Sequence, residues 1–252
     1  VGHPRSGTTL LEQAMDAHPS ISSADESSVF ANAIYKPWLP KLHGMGAEDI
    51  ASKLASIDPE AAADARTTYR DQMRQHLGER SEASVWIDKN PALMQGGVLI
   101  DRLFPDAKLI VSLRDPRDVV LSAYMQHLDL NPWSVNWLTL EDTVDQYSKT
   151  MGAWLALRDR IEMDWIEVRY EDTVGDLPAQ AKRATAFLGL DWDPAQADVQ
   201  KHVRTKAVHS PTYGDVSRPI YRTSVGRWER YAEYLRPFEA QLAPFVEAFG
   251  YH

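Results

Sequence analysis

The sequence predicts an α/β protein of P-loop type, with three layers α/β/α, a mainly parallel central sheet and helical insertions. Three observations predict it. Gly2-His-Pro-Arg-Ser-Gly-Thr-Thr9 has the outline of a phosphate-binding loop, with two glycines five apart and the apolar Leu10 and Leu11 of a helix start behind it. Apolar runs of strand type then alternate with helical patterns in the order βαβαβα, which implies parallel strands joined by crossover helices. Three segments suited to anions stand at strand ends, the edge where open parallel sheets bind ligands.

Taken in order, Val1 and Gly2 are the last residues of a strand feeding the loop, which suggests an excised domain of a longer polypeptide. A helix follows from Thr8 to Ala17, with Leu10, Leu11, Ala14 and Met15 on one face, stopped near His18-Pro19 because a residue before proline resists the α region. A short connection leads to Asp25 and Glu26. Residues 31–77 carry apolar positions at helical spacing, among them Ile50, Leu54, Ile57, Tyr69, Met73 and Leu77, and form a predicted helical insertion. Ser84-Val-Trp-Ile-Asp-Lys89 is strand-like, and a helix through Leu93, Val98, Leu99 and Leu103 follows. Ala107 to Leu113 is the clearest buried strand; it ends in Arg114-Asp-Pro-Arg-Asp118, where Pro116 suits a first helical turn before Val119, Leu121 and Tyr124. Helices are predicted over about 140–163 and 179–188, flanking a strand from Trp165 to Glu171, with Gly189 closing the second. A polar segment, 204–223, then gives way to Trp228–Tyr234 and a final amphipathic helix ending near Phe249. No internal repeat is present.

The composition narrows the function classes. At 252 residues one large domain spanning 1–252 is expected, and 36 acidic against 27 basic residues give a net charge of −9. That charge argues against broad binding to nucleic acid or an anionic membrane, so any anion site is local. No apolar run approaches the ~18 residues that cross a bilayer, and the residues given do not open on the charged, apolar and small-residue series of a secretory signal. The absence of cysteine removes disulfides, thiolate catalysis and zinc-thiolate sites, and fits a cytoplasmic location.

The loop departs from the Walker pattern, which wants Lys directly after the second glycine; Thr8 stands there, and the nearest cation is Arg5. Pro4-Arg5-Ser6-Gly7-Thr8-Thr9 resembles the loop by which sulfotransferases hold the 5′-phosphosulfate of 3′-phosphoadenosine 5′-phosphosulfate (PAPS). Leu113-Arg114-Asp-Pro-Arg-Asp-Val-Val-Leu-Ser122 is similar to that family's 3′-phosphate site, an arginine and a serine eight residues on. Asp88-Lys89-Asn90-Pro91 matches a position between them. Asp215-Val-Ser-Arg-Pro-Ile-Tyr221 with Ser224-Val-Gly-Arg-Trp228 resembles the segment that closes over the nucleotide. The resemblance spans nearly the whole chain. Within the family it is to bacterial domains that often follow tetratricopeptide repeats and, more distantly, to tyrosylprotein sulfotransferases.

What the resemblance implies can be stated residue by residue. Arg5 and Lys89 would stabilise charge developing on the bridging oxygen, with Arg5 replacing the lysine of many cytosolic members. Ser6, Gly7, Thr8 and Thr9 would hold the phosphosulfate, and Arg114 and Ser122 the 3′-phosphate, the group that separates PAPS from ATP. Arg222 falls where a basic residue reaches the same phosphate, although Tyr221-Arg-Thr departs from the common Arg-Lys-Gly, and Tyr170 neighbours the adenosine. Glu26, 21 residues after Arg5, matches the catalytic glutamate of the tyrosylprotein branch, with Ser27-Ser28 replacing threonine-arginine. His18 is the rival base, and its place in a helix-ending turn favours a structural role. Trp38, Trp133, Trp137 and Trp154 fit core or rim positions rather than an acceptor box.

The function expected is therefore direct, in-line transfer of a sulfuryl group from PAPS to a hydroxyl or amine on a small-molecule, glycan or peptide acceptor. The product would be 3′,5′-ADP, with no metal required. A tetratricopeptide-repeat region N-terminal to the chain is a further expectation of the resemblance. Two alternatives stay open. A P-loop kinase shares the cradle but normally needs the Walker lysine and magnesium, and an inactive nucleotide-binding interaction domain would bind 3′,5′-ADP without turnover.

Overall fold

The computed structural model describes residues 1–42, 52–126, 131, 133–205, 220 and 222–252. Helix α1 (Thr8–Asp16) leaves the loop and runs into β1 (Ile21–Ser23). A π-helical stretch, Ala31–Tyr35, continues into α2 (Lys36–Leu42), and α3 (Pro59–Leu77) follows, capped by Asp58, whose carboxylate accepts from Ala61 N–H at 3.1 Å. Next come β2 (Val85–Ile87), a 3₁₀ stretch Pro91–Gly96, α4 (Gly97–Leu103) and β3 (Leu109–Leu113). Helix α5 (Pro116–Tyr124) has Pro116 in its first turn and Asp115 as cap. Then follow α6 (Leu140–Leu157), β4 (Trp165–Arg169), α7 (Tyr170–Gly175), α8 (Leu177–Phe187), α9 (Val199–Thr205), α10 (Ala232–Leu235) and α11 (Glu239–Ala248).

All strand pairing among the described residues is parallel, as the alternation predicts. It is divided between two pairs. β1 pairs β2 with Ser23 opposite Ile87, and β3 pairs β4 with Leu113 opposite Arg169. Val1 and Gly2 lie parallel to the other edge of β3: Ser112 N–H donates to Val1 O at 3.0 Å, and Gly2 bridges Ser112. A cavity of about 850 Å³ lies between the pairs, bounded by Leu109 and Ile110 of β3, Val85 and Ile87 of β2, and Leu11 and Met15 of α1.

The period of two in β3 and β4 sorts their side chains into the layers. Leu109, Val111, Leu113 and Trp165 enter a core with Val119 and Val120 of α5, Tyr147, Met151 and Trp154 of α6, and Leu242 and Phe245 of α11. On the other face Ile110, Ile166 and Val168 pack with Leu11 and Met15 of α1 and Ala184 of α8. The sheet is thus sandwiched between helices, the three-layer arrangement. The insertion packs Phe30, Ile34, Leu54 and Ile57 against Leu99 and Leu103 of α4; the predicted apolar position Ile50 lies outside the described residues. So does most of the polar segment 204–223.

Several boundaries differ from expectation. The connection before Asp25 is the strand β1, too short and too rich in serine to show a strand pattern. The helix over 140–163 ends at Leu157, because Asp101 reaches across to accept from Glu162 and Met163 N–H at 2.9 and 3.0 Å and holds the chain in a turn. The strand from Trp165 stops at Arg169, and Tyr170 opens α7 instead. The 3₁₀ stretch Pro194–Ala197 and α9 were not foreseen; Asp193 closes a capping box over the former. No described helix is long and apolar enough to cross a membrane.

Candidate active site

Parallel register brings the site residues to one edge. Because Leu113 and Arg169 are partners, the next residues, Arg114 and Tyr170, emerge side by side, and the Arg114 guanidinium lies 4.7 Å from the centre of the Tyr170 ring. Because Ser23 and Ile87 are partners, the segments carrying Glu26 and Lys89 leave their strands together, and Glu26 Oε1 lies 2.7 Å from Lys89 Nζ. The bridge of Gly2 to Ser112 sets the loop at the end of β3, two residues before Arg114. Strand ends and loop therefore meet at the carboxyl edge of the sheet.

The loop is held in a costly shape. Arg5 has a φ of 74°, a left-handed conformation that a side chain rarely takes, and Gly7 has a φ of 82°. A Cβ on Gly7 would also overlap the ring of Tyr170, so glycine is required twice over. Gly7 is the N-cap of α1 and no side chain caps the helix, so the first-turn N–H groups and the positive end of its dipole face the loop.

Charge collects around that helix end. Arg5 Nε donates to Ser122 Oγ at 3.2 Å, which ties the loop to α5. Arg114 is 6% exposed; its Nη1 donates to Arg5 O at 3.1 Å and its Nη2 to Ser224 O at 2.6 Å. Its Nε is buried and has no hydrogen-bond partner among the described residues. Asp118 balances it at 3.7 Å and also accepts from Gly226 and Trp228 N–H at 2.9 and 2.8 Å, pinning the 224–228 segment over the arginine. Burial raises the Asp118 carboxyl, opposed by the charge of Arg114. Ser6 of the loop and Thr8 and Thr9 of the first turn of α1 are buried.

Lys89 is 4% exposed and contacts two carboxylates, Glu26 and, at 3.3 Å, Glu12 Oε2 of α1. Its neighbour Asp88 accepts from Tyr69 OH at 3.0 Å and Ser27 Oγ at 3.4 Å, and burial raises its carboxyl to about 6. The cavity between the strand pairs is lined by Thr8, Glu12 and Lys89 but not by Arg5, Arg114 or Ser122.

Two predicted residues stand apart. Arg222 is exposed and donates to Val174 O at 3.4 Å and Gly175 O at 2.8 Å, at the opposite end of α7 from Tyr170. His18 is 7% exposed; its Nε2 lies 2.9 Å from Asp191 O and its Nδ1 accepts from Ser20 N–H at 3.0 Å, so it fastens the turn after α1. The sequence reading missed Glu12, Asp118 and His3. The last is a fully buried loop residue whose Nε2 lies 2.7 Å from Gln146 Oε1. Of the tryptophans, Trp154 and Trp137 are buried, and Trp38 and Trp133 half-buried.

Residues 1–194 match a model of the Sulfotransferase family. Protein-tyrosine sulfotransferase A of Caenorhabditis elegans is 26% identical over 207 residues, covering 76% of this chain and 49% of that protein. Protein-tyrosine sulfotransferase 2 of Gallus gallus is 23% identical over 262 residues, 99% of this chain and 68% of that protein. The chain thus spans about half the length of the nematode relative. The sulfotransferase domain of the Synechococcus PCC 7002 olefin synthase superposes with a TM-score of 0.68 at 22% identity, covering 100% of this chain and 93% of that one, which is a likeness of fold.

Proposed function

Because the chain belongs to the sulfotransferase family, we propose that it moves a sulfuryl group from PAPS to a hydroxyl or amine acceptor by direct in-line transfer. One observation carries the donor assignment. Arg114 is buried beside the loop, stacked on Tyr170 and bonded to the backbone of Arg5, with its Nε unpartnered. A buried guanidinium with a free donor beside the loop fits an anionic ligand, and Ser122, near the far end of α5, is tied to the same loop by the hydrogen bond it accepts from Arg5. PAPS has two anionic ends for two such places, and ATP lacks the 3′-phosphate that Arg114 and Ser122 would hold.

Each residue then has a task. The N–H groups of Gly7, Thr8 and Thr9 hold the phosphosulfate at the positive end of α1. Arg5 and Lys89 stabilise the negative charge that grows on the bridging oxygen as its bond to sulfur breaks and 3′,5′-ADP leaves. Glu26, exposed and hydrogen-bonded to Lys89, takes the proton of the acceptor as the new bond to sulfur forms. Side chains supply the whole positive charge, so no magnesium is invoked. The acceptor is proposed only as a class: a small molecule, glycan or peptide bearing a hydroxyl or amine.

The test is to incubate purified protein with PAPS and heat-inactivated host extract, without magnesium. Mass spectrometry should find 3′,5′-ADP and a product heavier by one sulfuryl group. Phosphorylated products from ATP, with none from PAPS, would favour a kinase and refute the reading.

A further inference from the structure

Lys89 has more counter-charge than a donor-facing lysine needs. A buried ammonium demands a partner, because removing it from water is costly unless a nearby carboxylate offsets the loss. Glu26 supplies one at 2.7 Å, yet Glu26 is also the group that takes the acceptor's proton and is then neutral. At that moment Lys89 would be a buried cation without a counter-ion. Glu12 removes the difficulty. It sits one turn inside α1, 4% exposed, with Oε2 3.3 Å from Lys89 Nζ and without a hydrogen-bond partner among the described residues. Its other oxygen accepts from the Ser23 hydroxyl at the end of β1. Both contacts aim a buried carboxylate at the lysine from an element other than the one bearing Glu26.

We propose that Glu12 is a positioning residue of the transfer step: its carboxylate is the standing counter-charge that keeps the Lys89 ammonium in place while Glu26 gains and loses a proton. The inference rests on the roles assigned above to Lys89 and Glu26. The proton passes from the acceptor to Glu26, the acceptor atom bonds to sulfur, and the bridging oxygen leaves with the bonding pair; Glu12 exchanges nothing. It acts only when ionised. Burial pushes its carboxyl up to about 7, against the pull of Lys89; Asp25 raises it further and the Ser23 hydroxyl lowers it. The groups facing it are Lys89 after β2 and Ser23 and Asp25 at and after β1. Below about pH 7 Glu12 is protonated and Lys89 depends on Glu26 alone, so turnover should fall on the acid side.

The test is the pH dependence of 3′,5′-ADP release from PAPS with heat-inactivated extract, for wild type, Glu12→Gln and Ser23→Ala. Calorimetric affinity for 3′,5′-ADP serves as the check on folding. Wild-type kcat should decline below about pH 7. Glu12→Gln should lower kcat about tenfold at pH 8, leave KM for PAPS and the 3′,5′-ADP affinity within about twofold, and remove the limb near pH 7. Ser23→Ala, which removes the hydroxyl that favours the ionised form, should move the limb to higher pH. An active wild type whose acid limb and kcat survive Glu12→Gln overturns this inference alone. A wild type inert toward PAPS overturns the assigned function and this role with it.

Discussion

In the proposed reaction, Arg114 is the side chain on which the choice of donor turns. It has five donors, two of them spent on the Arg5 and Ser224 carbonyls, and it rests on the face of Tyr170. Arg114→Ala should raise KM for PAPS by roughly 10- to 100-fold with a smaller change in kcat, since a charge-assisted hydrogen bond is worth about 1.5–3 kcal/mol; steady-state kinetics checks this. Asp88 is the residue whose ionisation should mark stability. Its carboxyl is raised to about 6 by burial, so the folded chain keeps a proton that the unfolded chain has released. That contribution is full below about pH 4 and is lost as pH rises through about 6. Asp88→Asn should therefore remove about 3 kcal/mol of the fall in stability between those values, read from urea midpoints across the range. Arg5, Ser122 and Lys89 were legible as candidates, through the resemblance of the segments that carry them to a family. Glu12 was not, because a carboxylate between Leu11 and Gln13 on a short helix has the look of a solvated face; only the neighbouring strands reveal that the position is buried.

At the level of elements, the site is a consequence of parallel pairing. Residues that follow paired strand ends must emerge together, which places Arg114 by Tyr170 and Glu26 by Lys89 without any loop having to search for the arrangement. β3 could be read directly, since Leu-Ile-Val-Ser-Leu is apolar at every position but Ser112 and carries buried residues on both faces. β1 could not: Ile21-Ser-Ser23 has one apolar residue, and its strand character comes from its pairing with β2 and from Ser23 meeting Glu12. Helix α5 makes a further link through Asp118, which holds Gly226 and Trp228 by their N–H groups and stands beside Arg114. Asp118→Ala would leave those two N–H groups without their acceptor and free the segment over the arginine. It should cost about 2–4 kcal/mol in stability and raise KM for PAPS about tenfold or more. Denaturation and kinetics on the same preparation test both effects.

Across the whole molecule, two helical layers clamp the sheet, and the layer opposite the loop helix carries most of the large side chains. Trp154 is its centre: fully buried, edge-on to Trp165 at 5.1 Å, with its indole N–H donating to Glu167 Oε1 at 2.7 Å. Trp154→Ala should cost about 3–5 kcal/mol in urea unfolding through cavity formation and the lost donor. The chain order of strands and helices was enough to predict three layers, because the alternation leaves few other arrangements. Which helix covers which face was not written in the order; it follows from the alternate side chains of β3 and β4. The central claim is that this framework presents a site for a nucleotide carrying both a 5′- and a 3′-phosphate. Titration calorimetry of 3′,5′-ADP and of ADP without magnesium, on wild type and on Arg114→Ala, tests it most directly. The account predicts that wild type binds 3′,5′-ADP at least about tenfold more tightly than ADP, a difference of about 1.4 kcal/mol, and that Arg114→Ala erases the preference. Equal affinity for the two nucleotides in wild type, or tighter binding of ADP, would contradict it.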